Sequence, residues 1–241
     1  MRTVQGDVED ALAKLLGQPV VTFGAGRTDA GVHALGQVMN VPDAPDDADP
    51  VKTRDALNHM CRPSIVVTAC RVAPEGWHAR FNARSRTYVY ALLEGEFPDP
   101  FLSRTTLYHP EPLDLDAMRE AAGHLVGNHD FRSFGRVPER DDPSHRSLYE
   151  LSVERTGRIV RVRARANAFI QQMVRSLVGT LVQVGEGKRS PDDVPGMLSA
   201  ADRAAAGPVA PPHGLCLVAV EYDEGWSTPG EAAAPPVDPP K

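Results

Sequence analysis

Near the start of the chain, three glycines frame one carboxylate and one guanidinium in the run Gly24-Ala25-Gly26-Arg27-Thr28-Asp29-Ala30-Gly31-Val32-His33-Ala34. Glycines spaced this closely serve tight turns or the close approach of another molecule's backbone. If the run is locally extended, Arg27 and Asp29 point to the same side. A cation there would favour an ionised aspartate, which a nucleophile or a general base requires. Three uses compete: a turn carrying a surface ion pair, a phosphate-binding loop, and a catalytic carboxylate. The phosphate loop fails, because no Lys-Ser or Lys-Thr follows the glycines and the G-x-G is too short for a dinucleotide fingerprint. Spacing alone leaves the other two open. The histidines point away from a metal: His124 and His129 lie five apart and His129-Asp130 is only a dipeptide, neither being the spacing of a divalent site.

The bulk composition is that of a globular protein, with 241 residues, 41% hydrophobic and 24% charged. No stretch approaches a membrane-spanning length, and the N-terminus lacks the apolar core of a signal peptide. Cys61, Cys70 and Cys216 form no C-x-x-C pair, so reduced thiols and a cytoplasmic location are expected. The net charge of −6 argues at first against nucleic acid. Its distribution softens the objection. Acids crowd into Asp43–Asp55, Glu139–Asp142 and the tail, whereas Arg155–Gly185 holds six arginines and no acid. Local positive charge is what binds phosphates.

The elements that must position these groups read as follows. Residues 7–17 form a helix with acids in its first turn, ended by Gly17 and Pro19. Val20–Phe23 is a short strand running into the glycine turn, and Val32–Val41 is another. The segment 42–50 is a solvated loop, 53–61 a short helix, and Ile65–Thr68 a β-branched run. A long strand spans roughly 84–93, with Arg84, Arg86, Tyr88, Tyr90 and Leu92 on one face and Ser85, Thr87, Val89, Ala91 and Leu93 on the other. A helix begins at Asp114 and runs to about 125. Residues 148–154 and 159–166 form a hairpin around Thr156-Gly157, whose second strand aligns Arg161, Arg163 and Arg165 on one face. A helix over 168–184 ends at Gly185, and a strand over 215–222 precedes a Pro/Ala/Glu tail expected to be disordered. Strands mixed with helices, a hairpin and no strict βα alternation predict an α+β protein with antiparallel sheet.

Several of these segments carry a resemblance. Gly26-Arg27-Thr28-Asp29-Ala30-Gly31-Val32-His33-Ala34 with Gly36-Gln37-Val38 is similar to the signature of the tRNA pseudouridine synthase A family. The likeness continues in family order. It runs through Arg2-Thr3-Val4-Gln5-Gly6, His78–Ala83 with Arg86–Tyr90, and Asn128–Phe134. It then covers Ala166–Ile170 with Met173-Val174-Arg175, Gly179 and Val184-Gly185, and ends with Pro211–Leu215.

The resemblance implies uridine-to-pseudouridine isomerisation in the tRNA anticodon stem-loop, at positions 38, 39 and 40. It implies Asp29 as the catalytic carboxylate, Arg27 beside it as the arginine that helps extrude the target nucleotide, and Arg175 as a second partner of the carboxylate. Tyr88 would pack against the target uracil and Leu215 would line its pocket. The implied fold is the pseudouridine synthase α+β fold, two similar halves with mainly antiparallel sheets around a central basic cleft. A homodimer bridged by tRNA, no membrane, no cofactor and no metal are also implied. The chemistry agrees: the N1–C1′ bond breaks and the uracil rejoins through C5, with no net oxidation and no departing group. The base must leave the stack to react.

The expected division is 1–108 as the half carrying the aspartate loop, 109–226 as the half carrying the arginine strand, and 227–241 as the tail. Arg161, Arg163 and Arg165 are a candidate tRNA backbone surface, with a solvated sheet edge as the alternative. On the first view, charge reversal at Arg163 weakens tRNA binding more at low salt than at high salt. Departures from the family pattern are the opening at Arg2-Thr3-Val4-Gln5, which leaves the first strand of the N-terminal sheet missing and an edge exposed, and Cys61-Arg62-Pro63-Ser64-Ile65, which lacks the family's acid. The polar excursion Val137–His145 has no assigned role. A different class of function, an RNA-binding protein without turnover, fits the arginines but not the joint presence of Arg27, Asp29, Tyr88 and Arg175. A metal-dependent hydrolase fails on ligand spacing.

Overall fold

The computed structural model describes residues 2–137 and 144–223. Most of the excursion 137–145 and the tail 227–241 lie outside the described residues. The chain is mixed α+β with a largely antiparallel sheet, as the sequence predicts. Its contacts divide it into two compact units: residues up to Arg27 with Val38–Asn82, and Thr28–Gln37 with Ala83 onward.

In the first unit, helix α1 (Val4–Leu16) starts three residues before the predicted position. Thr3 is extended, and its hydroxyl accepts the Gly6 N–H, so the cap sits at Thr3 and not at the later acids. Gly17, at φ 71°, ends the helix in the left-handed conformation. The predicted strand 20–23 shrinks to β1 (Phe23–Gly24), paired with β3 (Met39–Asn40). Helix α2 (Pro50–Cys61) is capped by Asp49, whose carboxylate accepts the Val51 and Lys52 N–H groups. Val8, Ala11 and Leu12 of α1 pack on Leu57 of α2, with Val20, Ile65 and Val67 against them. The β-branched run 65–68 joins no ladder. Instead Asn58 exchanges two hydrogen bonds with the Val67 backbone.

The second unit holds a seven-stranded sheet in the order β2 (His33–Ala34), β9 (Leu215–Glu221), β4 (Ser85–Glu94), β8 (Ile159–Ala166), β7 (His145–Thr156), β6 (Gly127–Asp130), with β5 (Leu107–His109) pairing β4. Only β2–β9 and β4–β5 are parallel. The predicted strand 32–41 is therefore two strands in two units. Every residue of β4 is buried, because the strand is central and covered on both faces. The β7–β8 hairpin lies where the sequence places it.

Helix α3 (Leu115–Gly123), capped by Asp114, packs on β7 and on helix α4 (Met173–Gly185). Leu177, Val178 and Leu181 of α4 are fully buried. Removing each such side chain from water contributes about 1.5–3 kcal/mol. Helix α4 begins five residues later than predicted. Tertiary contacts hold the preceding segment out of the helix. The Asn167 carbonyl accepts from Arg86, the Gln171 carbonyl accepts the Arg136 N–H, and Gln172 sits at φ 65°. A short helix α5 (Val194–Ala200) follows. Among the described residues no helix is long and apolar enough to cross a membrane.

Candidate active site

Asp29 sits in the loop 28–37 of the larger unit, and β9 holds that loop in place. The Asp29 carbonyl accepts the Val32 N–H at 3.1 Å, closing a turn in which Gly31 takes φ 87°. Leu35 and Gly36 both donate to the Leu217 carbonyl, at 2.9 and 3.1 Å. A Cβ on Gly36 would collide with the Val218 carbonyl, so only glycine lets the loop lie this close to the strand.

Arg175, in the first turn of α4, reaches the loop. Its Nη1 donates to Asp29 Oδ2 at 2.7 Å, and its Nε donates to the Ala210 carbonyl at 2.6 Å. The Asp29 side chain is 27% exposed and that of Arg175 is 13% exposed, so the carboxylate is held yet open to an incoming group. A guanidinium bound at two edges has a fixed plane, which fixes the direction of the carboxylate it holds.

Tyr88 lies on the same face of the sheet. Residues opposite each other across antiparallel strands share a face. Tyr88 stands opposite Ala164 and Leu217, and Tyr90 opposite Val162 and Leu215. Leu215 is thus diagonal to Tyr88 and buried, at the start of β9. Burial pushes the Tyr88 phenol up to about 12; nearby Arg86 opposes the shift and the Asp29 charge adds to it. The Phe169 ring meets the Tyr88 ring edge-on, with centroids 5.2 Å apart.

Two contributors escaped the sequence reading as site residues. Phe169 falls within the predicted helix 168–184, which forms only from Met173 onward. Arg86 is buried beneath the site, with Nη1 donating to the Ala83 and Asn167 carbonyls at 3.1 and 2.7 Å. Its place on the Tyr88 face of β4 was the available signal.

Arg27 is exposed and ends the first of the two segments that make up the first unit. Arg161, Arg163 and Arg165 stand opposite Ala91, Val89 and Thr87, so they project from the face away from Tyr88. They are not a bare basic stripe. Arg163 pairs with Glu150 at 3.2 Å, and Arg165 lies 3.9 Å from Glu150 and 3.7 Å from Glu221. Arg165 also sits over the Tyr149 ring. The acid-free run 155–185 meets its acids in space: Arg155 is paired with the buried Glu94, and Arg175 with Asp29.

His129 Nε2 binds the Val126 carbonyl, and Asp130 Oδ1 accepts the Arg132 N–H. Both therefore serve the turn leading to the fully buried Phe131 and Phe134. His124 does have acidic neighbours, Glu120 one helical turn earlier and Asp192, with ligand atoms within 4.8 Å of one another on the exposed surface. This group takes no part in the arrangement around Asp29.

A family model described as tRNA pseudouridine synthase matches residues 121–223. The tRNA pseudouridine synthase A of Brevibacillus brevis is 42% identical over 220 residues, covering 91% of this chain and 90% of that protein. The protein of the same name from Roseobacter denitrificans is 42% identical over 226 residues, 92% of this chain and 86% of its own. That from Anaplasma marginale is 43% identical over 224 residues, 92% of this chain and 90% of its own. With likeness of this extent along nearly its whole length, the chain belongs to the tRNA pseudouridine synthase A family.

Proposed function

We propose that this protein converts uridine to pseudouridine in tRNA, with Asp29 as the reacting carboxylate. The observation that carries the reading is the partly open Asp29 carboxylate held at 2.7 Å by Arg175. The buried Tyr88, whose phenol the Asp29 charge influences, and the buried Leu215, diagonal to it across the sheet, support the same reading. An everted uracil entering this space would meet the Tyr88 ring on one side and the Leu215 side chain on another. Such a base must be flipped out of its stack, and aromatic contact offsets part of that cost by about 1–3 kcal/mol.

The reaction breaks N1–C1′ and forms C5–C1′; C5 gives up its proton and the freed N1 takes one up, so the composition is unchanged. Asp29 either attacks C1′ or takes a proton from the sugar; each route needs an ionised carboxylate and a fixed direction of approach. Arg175, held at its second edge by the Ala210 carbonyl, supplies the direction. Arg27 would act on the displaced nucleotide. The finer parts of the proposal follow from the family resemblance: action at positions 38, 39 and 40 of the anticodon stem-loop, a homodimer bridged by tRNA, two similar halves around a basic cleft, and a cytoplasmic setting.

The test is release of tritium from an anticodon stem-loop RNA labelled at uridine C5. The parent protein is expected to release tritium and Asp29→Ala to release none. Tight RNA binding by the parent with no release would instead make it an RNA-binding protein without turnover.

A further inference from the structure

Arg175 is oriented by a backbone carbonyl, and that carbonyl belongs to a segment, 207–212, that lies across helix α4. Ala210 is bound to Arg175 twice: its carbonyl accepts from Nε at 2.6 Å and its N–H donates to the Arg175 carbonyl at 3.0 Å. One turn further along α4, the Gly207 N–H donates to Thr180 Oγ1 at 2.9 Å. The approach is so close that a Cβ on Gly179 would collide with the Pro208 carbonyl, and one on Gly207 would lie 2.7 Å from the Thr180 backbone.

The same segment is held from the sheet. Tyr90, fully buried on β4, donates its hydroxyl to the Pro211 carbonyl at 2.9 Å. Burial raises the Tyr90 phenol further above its ordinary value. At its far end, Pro212 packs beneath the aspartate loop, 3.1 Å from where a Gly31 Cβ would sit. One short segment therefore touches the arginine, the central strand and the loop bearing Asp29.

We propose that segment 207–212 is the positioning element for the Asp29–Arg175 pair, and that Tyr90, Gly179 and Thr180 act as positioning residues through the Ala210 carbonyl. This rests on Asp29 and Arg175 being the reacting pair. None of the three need touch the uridine. A guanidinium released from Ala210 keeps its charge but loses its fixed plane, and the carboxylate loses its direction. Misplacement of a reacting group by about 1 Å costs on the order of a hundredfold in rate.

The experiment measures kcat and KM for tritium release, counted per folded molecule from circular dichroism, and the Kd for the same stem-loop RNA. The variants are Tyr90→Phe, Thr180→Val and Thr180→Ser. Tyr90→Phe removes the donor to Pro211, and Thr180→Val removes the acceptor for Gly207. Both are expected to lower kcat about tenfold or more while KM and Kd change less than about twofold. Thr180→Ser keeps the acceptor and is expected to restore kcat to near the parental value. Should Tyr90→Phe not fold, the Thr180 pair decides. Parental kcat per folded molecule in Thr180→Val, or equal loss in Thr180→Ser and Thr180→Val, overturns the inference. Asp29→Ala is assayed alongside. If it retains activity, the reading of the site itself fails. If it is inactive while Thr180→Val is parental, only the positioning role fails.

Discussion

The Asp29 carboxylate and the Arg175 guanidinium are 146 positions apart in sequence and 2.7 Å apart in the fold. The pair is set by three supports: the β2–β9 ladder under the aspartate loop, helix α4 under the arginine, and the Ala210 carbonyl at the arginine's second edge.

That geometry predicts that Arg175→Lys will not substitute. An ammonium keeps the charge but lacks the planar fork that serves Asp29 and Ala210 together. The expected result is a kcat lower by about a hundredfold, with RNA affinity changed much less. Single-turnover tritium release beside a binding titration checks it; parental kcat in Arg175→Lys would show that charge alone suffices.

Tyr88 yields two expectations. Tyr88→Ala removes the aromatic face and should weaken productive binding of the everted base by about 1–3 kcal/mol, read as a fall in kcat/KM. Its ionisation has a definite sign. The folded-state value is raised to about 12, so its contribution to stability is fully present below the unfolded value of about 10 and is lost as pH rises towards the folded value. Ultraviolet phenolate titration should therefore show one fewer tyrosine ionising near pH 10 in the parent than in the urea-unfolded chain for each buried phenol, Tyr88 among them. Titration of Tyr88 at its ordinary value, identified by difference with Tyr88→Phe, would contradict its burial.

Glu94 is a structural ion-pair centre. Its carboxylate accepts Arg155 Nε and Nη2 at 2.9 and 3.0 Å and the Leu113 N–H at 2.8 Å, joining β4, β7 and the start of α3. Glu94→Ala leaves Arg155 and the Leu113 amide without that acceptor. A loss of about 3 kcal/mol is expected, the lower end of the range for broken buried pairs, because the Arg155 side chain is 37% exposed. Urea denaturation measures it; a loss under about 1 kcal/mol would mean that solvent replaces the pair.

Arg163 tests the arginine strand. It faces away from Tyr88 and shares Glu150 with Arg165. Arg163→Glu is therefore expected to leave the salt dependence of tRNA binding nearly unchanged, with a logarithmic slope altered by less than about one, the amount a lost phosphate contact would produce. A clearly shallower slope would identify this face as an RNA-backbone surface.

The amino-acid sequence by itself determined what depends on neighbours in the chain. The alternation of Arg86, Tyr88 and Tyr90 on one face of β4, the turn at Thr156-Gly157, the Asp114 cap and the glycine frame around Asp29 all follow from local periodicity and backbone freedom. The tertiary structure alone decided which partners meet. It split 32–41 between two ladders, because Leu35 and Gly36 bind Leu217 while Met39 and Asn40 pair with β1. It delayed α4 to Met173, because Arg86 and Arg136 claim the preceding carbonyls. It brought Glu94, Glu150 and Asp29 to the arginines of an acid-free stretch. Local propensity reaches a few residues along the chain, whereas charge pairing and hydrogen bonding act across whatever distance packing has closed.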